Sequence, residues 1–411
     1  MYDAMILSLG GAPEPLRKSI ECFQPAVIVF FASQQSAVMA GEVLKGLPAR
    51  PETFFEMTEN SDELLACYEA ARRCLLRIEA SQAPPDRVMV DYTGGTKPMV
   101  AALVLATVGR GYRFNYVGGS ARDKNGLGIV RSGSEHMMFN VSPWAAFAEE
   151  ERRNAAILFN ERKFGAVVDL FNNFDRLDEM PYKIRSYLEW LKLLAEGYAL
   201  WERFEYLKGA EIIKKGHERL LEHLRMEYHE RLDEVRAAVE NNLDFLNQLR
   251  NSTRGLKRVH PLLVEDLLAN AGRRIQDRQF EDATARIYRA LEMHGQAAFF
   301  EHTGLETSNV PPENVPQSIR DEYALKYLDP KSGKLKLPLF AVYRFLAEAG
   351  HAAGVRFMAL KENLDKVLFA RNHSFLAHGT IPIDQSSSEK LLDIVMEFTG
   401  IRPYIEFPRL P

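Results

Sequence analysis

The sequence predicts an α/β Rossmann-like N-terminal domain followed by an all-α helical connector and a C-terminal α-helical domain. Three observations predict it. Short apolar runs recur through the first 120 residues, each ended by small polar residues and separated by helical stretches. Strands of that kind, buried on both faces, belong to a parallel sheet covered by helices. From Pro143 the pattern changes to a 3.6-residue period, with Pro181 the one proline between 144 and 250. At 411 residues the chain is also too long for one ordinary core.

The elements follow in order. Residues 4–9 (Ala-Met-Ile-Leu-Ser-Leu) form the first strand, ended by Gly10-Gly11. Residues 26–32 form the second, ended by Ser33-Gln34-Gln35-Ser36, and a third lies near 53–57. Residues 87–92 end at Thr93-Gly94-Gly95, residues 112–117 end at Gly118-Gly119, and 127–141 reads as the last strand. Helices are expected near 36–46, 61–80 and 98–109, the second opened by Asn60-Ser61-Asp62 as a cap. Helices then fill 144–250. Asn251–Gly255 is a break, and a second helical block runs over 261–411 with loops at 310–316 and 329–338. The domains so drawn are 1–145, 146–260 and 261–411. Arg162-Lys-Phe164 echoes Arg278-Gln-Phe280; two such units do not make a solenoid and are read as similar helix-turn-helix packing.

Composition excludes several classes. With 52 basic and 56 acidic residues the net charge is −4, so a protein that coats DNA generally is excluded and any nucleic-acid contact is local. Cys22, Cys67 and Cys74 neither pair evenly nor fall at metal-ligand spacing; buried thiols and a reducing cytoplasm are expected. Asp3, Glu14, Arg17 and Lys18 exclude a signal peptide over the first 20 residues, and no apolar run approaches the roughly 20 residues that span a bilayer.

In an open parallel sheet, ligands bind beyond the carboxyl ends of the strands. Those ends are Ser8-Leu-Gly10-Gly11, Ser33-Gln-Gln-Ser36, Thr93-Gly-Gly-Thr96-Lys97-Pro98 and Gly118-Gly119-Ser120, all small and polar, which lets backbone N–H groups approach a ligand. Gly94 and Gly95 permit a tight turn, Thr96 caps the next helix and Pro98 fits its first turn. Lys97 adds a full charge where helix N–H groups already favour an anion, so a phosphate is the expected guest. Neither the P-loop pattern nor the dinucleotide Gly-x-Gly-x-x-Gly is present.

The short first strand with its polar loop, together with Asp91-Tyr-Thr-Gly-Gly-Thr-Lys97-Pro-Met opening an apolar helix, resembles the CARF domain, the CRISPR-associated Rossmann fold. The resemblance covers about residues 1–145. It implies a dimer holding a cyclic oligoadenylate across its two-fold axis. Ser8, Gly10, Gly11 and Thr93, Gly94, Gly95, Thr96, Lys97 would line the ligand, with Ser33, Gln34 and Gly119 as further candidates.

Many CARF proteins carry a C-terminal HEPN ribonuclease domain marked by Arg, four to six residues, then His. Five pairs fit: Arg131/His136, Arg254/His260, Arg289/His294, Arg344/His351 and Arg371/His378. Context separates them. Only Arg371 is followed by a polar amide, Asn372, inside an expected helix Ala359–His378 that Gly379 stops. Seven residues of helix would put Arg371 and His378 on one face about 10 Å apart, with His373 opposite. The helix dipole would favour a protonated His378, whose titration near neutrality suits proton transfer at a phosphate. The resemblance implies metal-independent cutting of single-stranded RNA to a 2′,3′-cyclic phosphate and a 5′-hydroxyl. Arg371 would hold the phosphate, His378 would move the proton and Asn372 would orient one of these groups. A gap of about 10 Å is too wide for one phosphate, which implies a composite site across a homodimer. Arg286, Arg289 and Glu292 form a polar stripe, read as a solvated face or an RNA-facing one.

The whole chain thus resembles the CRISPR-associated CARF–HEPN ribonucleases, for which cyclic oligoadenylate is an allosteric activator and no cofactor or metal is expected. A second activity, ring cleavage by the first domain, stays open: Thr93, Thr96 and Lys97 supply hydroxyls and a charge, but those loops hold no His base. The alternative is a ligand-sensing regulator whose helical half binds DNA or a protein partner, for which Lys214-Lys215 with Arg219 is the modest basic cluster.

Overall fold

The computed structural model describes residues 2–119, 135–138, 143–172, 182–373, 375, 380 and 382–411. The chain divides into two compact units, Met1–Ala155 with Asp169–Leu188, and Ala156–Val168 with Glu189–Pro411.

In the first unit, β1 (Ala4–Ser8), β2 (Val27–Ser33), β3 (Glu52–Thr58), β4 (Val88–Asp91) and β5 (Arg113–Gly119) form a parallel sheet ordered β3-β2-β1-β4-β5. The last strand, β6 (Glu135–Met138), joins the β5 edge antiparallel; the rest of the expected 127–141 strand lies outside the described residues. Strand alternation splits the apolar residues between two layers. Ala4, Ile6, Val29, Phe31, Val88 and Val90 pack under α3 (Leu64–Ala80) and α4 (Lys97–Thr107). Met5, Leu7, Ile28, Phe30 and Met89 pack under α1 (Pro13–Phe23) and α2 (Ala40–Leu44). Burying both faces is what makes these strands almost wholly apolar. Cys67 and Cys74 are buried free thiols of α3, as expected, and Cys22 is an exposed one.

Two helix starts differ from expectation. Helix α3 begins three residues after Ser61, because the Asn60 side chain accepts the Asp62 N–H (3.0 Å) and closes a turn ahead of it. The region read as helix over 36–46 is a 3₁₀ turn (Ala37–Met39) followed by the short α2.

The remaining helices are α5 (Trp144–Asn160), α6 (Phe164–Asn172), α7 (Tyr182–Glu202), α8 (Tyr206–Met226), α9 (Glu230–Ser252), α10 (Pro261–Gln276), α11 (Phe280–Thr303), α12 (Arg320–Tyr327), α13 (Leu339–Glu348), α14 (Ala352–Ala359), α15 (Lys361–His373) and α16 (Gln385–Thr399). The loop expected at 329–338 holds a small hairpin, β7 (Leu328–Asp329) with β8 (Lys334–Leu335). One core runs through α10, α11, α13, α14, α15 and α16; within it the Tyr343 and Phe357 rings stack at 4.1 Å.

The sequence echo is a shared helix stop. Arg162 and Arg278 both sit at φ +58. Lys163 N–H donates to Leu158 O and Arg162 N–H to Phe159 O; Gln279 donates to Arg274 O and Arg278 to Ile275 O. This is the Schellman pattern, which satisfies the terminal carbonyls of each helix. The two stops are joined, since Arg162 pairs with Asp277.

Candidate functional site

The loops after β1 and β4 meet where the strand order reverses, since β2 follows on one side of β1 and β4 lies on the other. The Ser8 hydroxyl donates to Gly94 O at 2.6 Å across 86 positions. A Cβ on Gly94 would stand 2.5 Å from Ser8 O and 2.7 Å from Gly10 N, and one on Gly10 would stand 2.7 Å from Gly95 N. Gly10 and Gly94 are therefore needed for the loops to approach each other, a reason the loop sequences alone do not show. Gly95 takes φ +94, the left-handed turn expected of it. Gly11 has nothing within 4 Å of its Cβ position, so its face stays open.

Beneath the loops lies Asp91, fully buried at the end of β4. Its carboxylate accepts from Ser19, from Asn115 Nδ2 (2.6 Å) and from the Thr93 N–H (2.9 Å). Burial pushes this carboxyl above its ordinary range, against the pull of those donors. Thr93 Oγ1 in turn accepts the Val117 N–H (2.9 Å), tying the loop to β5. Asp91 was legible as a charged end to an otherwise apolar strand (Val88-Met-Val-Asp91), a position that demands donors.

Thr96 is the N-cap of α4: its hydroxyl accepts the Met99 N–H and donates to Ser61 O. Lys97 opens the helix with Pro98 behind it, and its exposed ammonium has no ion pair among the described residues. Ser33 is less available. Its hydroxyl and that of Ser36 each accept the other residue's N–H, at 3.1 and 2.9 Å, and close a tight turn. Gln34 is exposed, and Gly119 is the last residue of β5, paired with Glu135.

In the second unit Arg371 and Asn372 lie near the end of α15, which Leu364 and Val367 anchor in the core. This helix ends at His373 and Phe375 lies in a turn, so the expected helix through to His378 is shorter than drawn. His378 lies outside the described residues, and the one-face relation to Arg371 does not follow from α15. His373 stacks on Phe369 at 3.8 Å and donates from Nδ1 to Phe369 O (3.0 Å).

Three of the competing histidines have other work. His260 caps α10 by accepting the Leu262 N–H, and burial beside Arg258 lowers its pKa. His294 is hydrogen-bonded to the Tyr343 hydroxyl (3.0 Å) in the core. His351 caps α14 by accepting the Ala353 N–H. The remaining pair has His136 on β6, with Arg131 outside the described residues. In the polar stripe Arg286 donates to Asn270 Oδ1 (2.7 Å), pairs with Asp282 and is 15% exposed, while Arg289, 40% exposed, pairs with Glu292.

With this geometry in hand, comparison with known proteins places the chain. Residues 252–402 match the family model of the Csm6 HEPN domain, and residues 147–246 that of the Csm6 6H domain. Together they span more than half of the 411 residues. A Rossmann-like domain followed by these two defines the class, the CRISPR-associated CARF–HEPN ancillary ribonucleases. Within that class the chain belongs to the Csm6 family. Similar solved structures include Csm6 of Enterococcus italicus bound to cyclic hexa-2′-fluoro-hexa-dAMP, at 13% identity and TM-score 0.47 over 97% of this chain and 94% of that one. Another is Can2 of Sulfobacillus thermosulfidooxidans in complex with cyclic tetra-adenylate, at 11% identity and TM-score 0.24 over 55% of this chain and 69% of that one. No curated protein matches the chain. Among the described residues no helix is long and apolar enough to cross a membrane.

Proposed function

We propose that the chain is a cyclic-oligoadenylate-activated, metal-independent endoribonuclease that cuts single-stranded RNA as a homodimer in CRISPR antiviral defence. Residues 1–145 would sense the ring, 146–260 connect, and 261–411 cut. One observation carries the reading: the segment that matches the Csm6 HEPN family holds Arg371-Asn372 on a core-anchored helix, while His260, His294 and His351 serve as caps or core. The switch-point loops support the sensor half. They offer Lys97, without an ion pair among the described residues, at a helix N-terminus where an anionic phosphate is favoured.

Cleavage would proceed by attack of the RNA 2′-hydroxyl on its own phosphate, breaking the bond to the 5′ oxygen. Arg371 would neutralise the phosphate as charge builds, His378 would carry the proton to the leaving oxygen and Asn372 would orient one of these groups. Ring binding would shift the equilibrium between two states of the dimer, which requires different affinities for them. The test is cleavage of a fluorescent single-stranded RNA in EDTA with cyclic tetra- or hexa-adenylate, wild type beside Arg371→Ala and His378→Ala. Cutting that needs one ring and is lost in both variants is expected. Cutting indifferent to either ring overturns the activation, and cutting retained by both variants overturns the site.

A further inference from the structure

The segment after α9 builds a pocket unrelated to the Arg371 helix. Its loop is held rigid from below by the buried Thr253, whose carbonyl accepts the N–H groups of Lys257 and Arg258, both at 3.0 Å. The Thr253 hydroxyl accepts the Leu256 N–H, also at 3.0 Å. Arg254, Lys257 and Arg258 of this loop line a cavity of about 580 Å³. Val259, Leu263, Met293 and Phe300 supply apolar lining, and Gln296, Thr307 and Ser308 polar lining.

Two features fit this cavity to an anionic ligand. The Arg258 guanidinium lies over the Phe300 ring, 4.2 Å from its centre, and its buried Nε has no hydrogen-bond partner among the described residues. A buried donor left unpaired is costly, and an acceptor entering the cavity would relieve it. Arg254 and Lys257 have no ion pair among the described residues, and Glu306 is the sole acidic residue of the lining, so the pocket is net positive. Cationic side chains with hydroxyls in one lining suit phosphate and ribose, and apolar lining with an aromatic ring suits a base. The volume falls within the ~300–1,000 Å³ range of small-molecule sites. A base reaches such a pocket only when it is splayed from its neighbours, as in a single strand.

We propose that this pocket is an accessory RNA subsite that holds one unstacked nucleotide of the single-stranded substrate, with Arg254 and Lys257 on its phosphates and the Arg258–Phe300 pair beside its base. The proposal rests on the ribonuclease reading above and assigns to the protein a second RNA-binding region outside the cleavage site.

The test uses full-length His378→Ala protein, so that RNA is bound and not consumed, and fluorescence anisotropy of a labelled single-stranded RNA across a salt series. Arg254→Gln/Lys257→Gln, both at exposed positions, should weaken binding at least tenfold. The same double variant should flatten the slope of log K against log salt by about 1.4, which is ~0.7 for each phosphate that is no longer neutralised. Phe300→Leu should weaken binding with the salt slope unchanged. Unchanged affinity and slope in the double variant overturn the subsite, as does binding of free AMP that responds to these substitutions while RNA binding does not. Wild-type protein that fails to cut RNA under any ring sinks the ribonuclease reading instead, and the binding series answers separately.

Discussion

Asn160 and Leu410, 250 positions apart, exchange two hydrogen bonds: the Asn160 amide donates to Leu410 O at 2.9 Å and its oxygen accepts the Leu410 N–H at 2.7 Å. Asn242 makes a similar bond to Glu406 O (2.9 Å), and Phe407 sits between Tyr198, Trp201 and Arg273. The C-terminal strap thereby covers the buried Glu202–Arg273 ion pair. Asn160→Ala should cost about 1–3 kcal/mol, read as a lower thermal midpoint. Removal of Leu410 and Pro411 should lower it too, and the two changes combined should be less than additive because they break the same bonds. Full additivity would show that the strap is held elsewhere.

Gly94→Ala should separate the two sensor loops, since its Cβ would meet Ser8 O at 2.5 Å, closer than side-chain carbons come to backbone. The expected result is a thermal midpoint several degrees lower and at least tenfold more ring needed for half-maximal RNA cutting. Gly11→Ala is the comparison, because its Cβ position is open. Its midpoint should not move, so any loss of activation there reports contact with the ring itself.

The strands, and the loops that end them, were legible in the sequence because burial on both faces leaves a nearly pure apolar run with an abrupt polar end. The parting of Gly10 and Gly94 from the other glycines was not legible, since it depends on two loops 86 positions apart touching. The tail after Thr399 was read into the last helical block. It has no helix, and its buried Ile405 and Leu410 follow no period that a pattern could catch. Arg371 stands apart from the other four pairs by its neighbour Asn372. The expected helix around it runs past His373 because Gly379 is the nearest strong stop signal in the sequence, whereas α15 ends at His373. Thr96 was legible as a cap because Pro98 fixes the helix start next to it.

Lys97→Ala should leave folding unaffected, since the side chain is exposed and takes part in no ion pair among the described residues. The ring concentration for half-maximal activation should rise about tenfold, which is ~1.4 kcal/mol for one ammonium–phosphate pair. The wild-type requirement for ring should climb with salt more steeply than that of the variant, because the pair removed is one between full charges. Thr96→Val should behave in the opposite way. It removes the cap and the bond to Ser61 O, so stability falls by the ~1 kcal/mol of a lost N-cap, read as a lower midpoint.

His294 makes stability depend on pH. Burial first, then the neighbouring His351 and Arg356, lower its pKa from the ordinary 6.5 to about 4. Its Nδ1–H donates to the Tyr343 hydroxyl, which donates onward to Leu291 O (2.8 Å), and burial disfavours a second proton on the ring. Because the folded pKa is depressed, the unfolded chain binds the proton first. The stabilisation is complete above 6.5 and is lost as pH falls from there toward 4. His294→Asn keeps an amide nitrogen near the Nδ1 position without a group that titrates. Between pH values of about 7.5 and about 5 the wild type should lose about 2 kcal/mol more stability in urea than this variant does. Parallel losses in the two proteins would show that the folded and unfolded chains protonate this imidazole alike, and that burial does not lower its pKa.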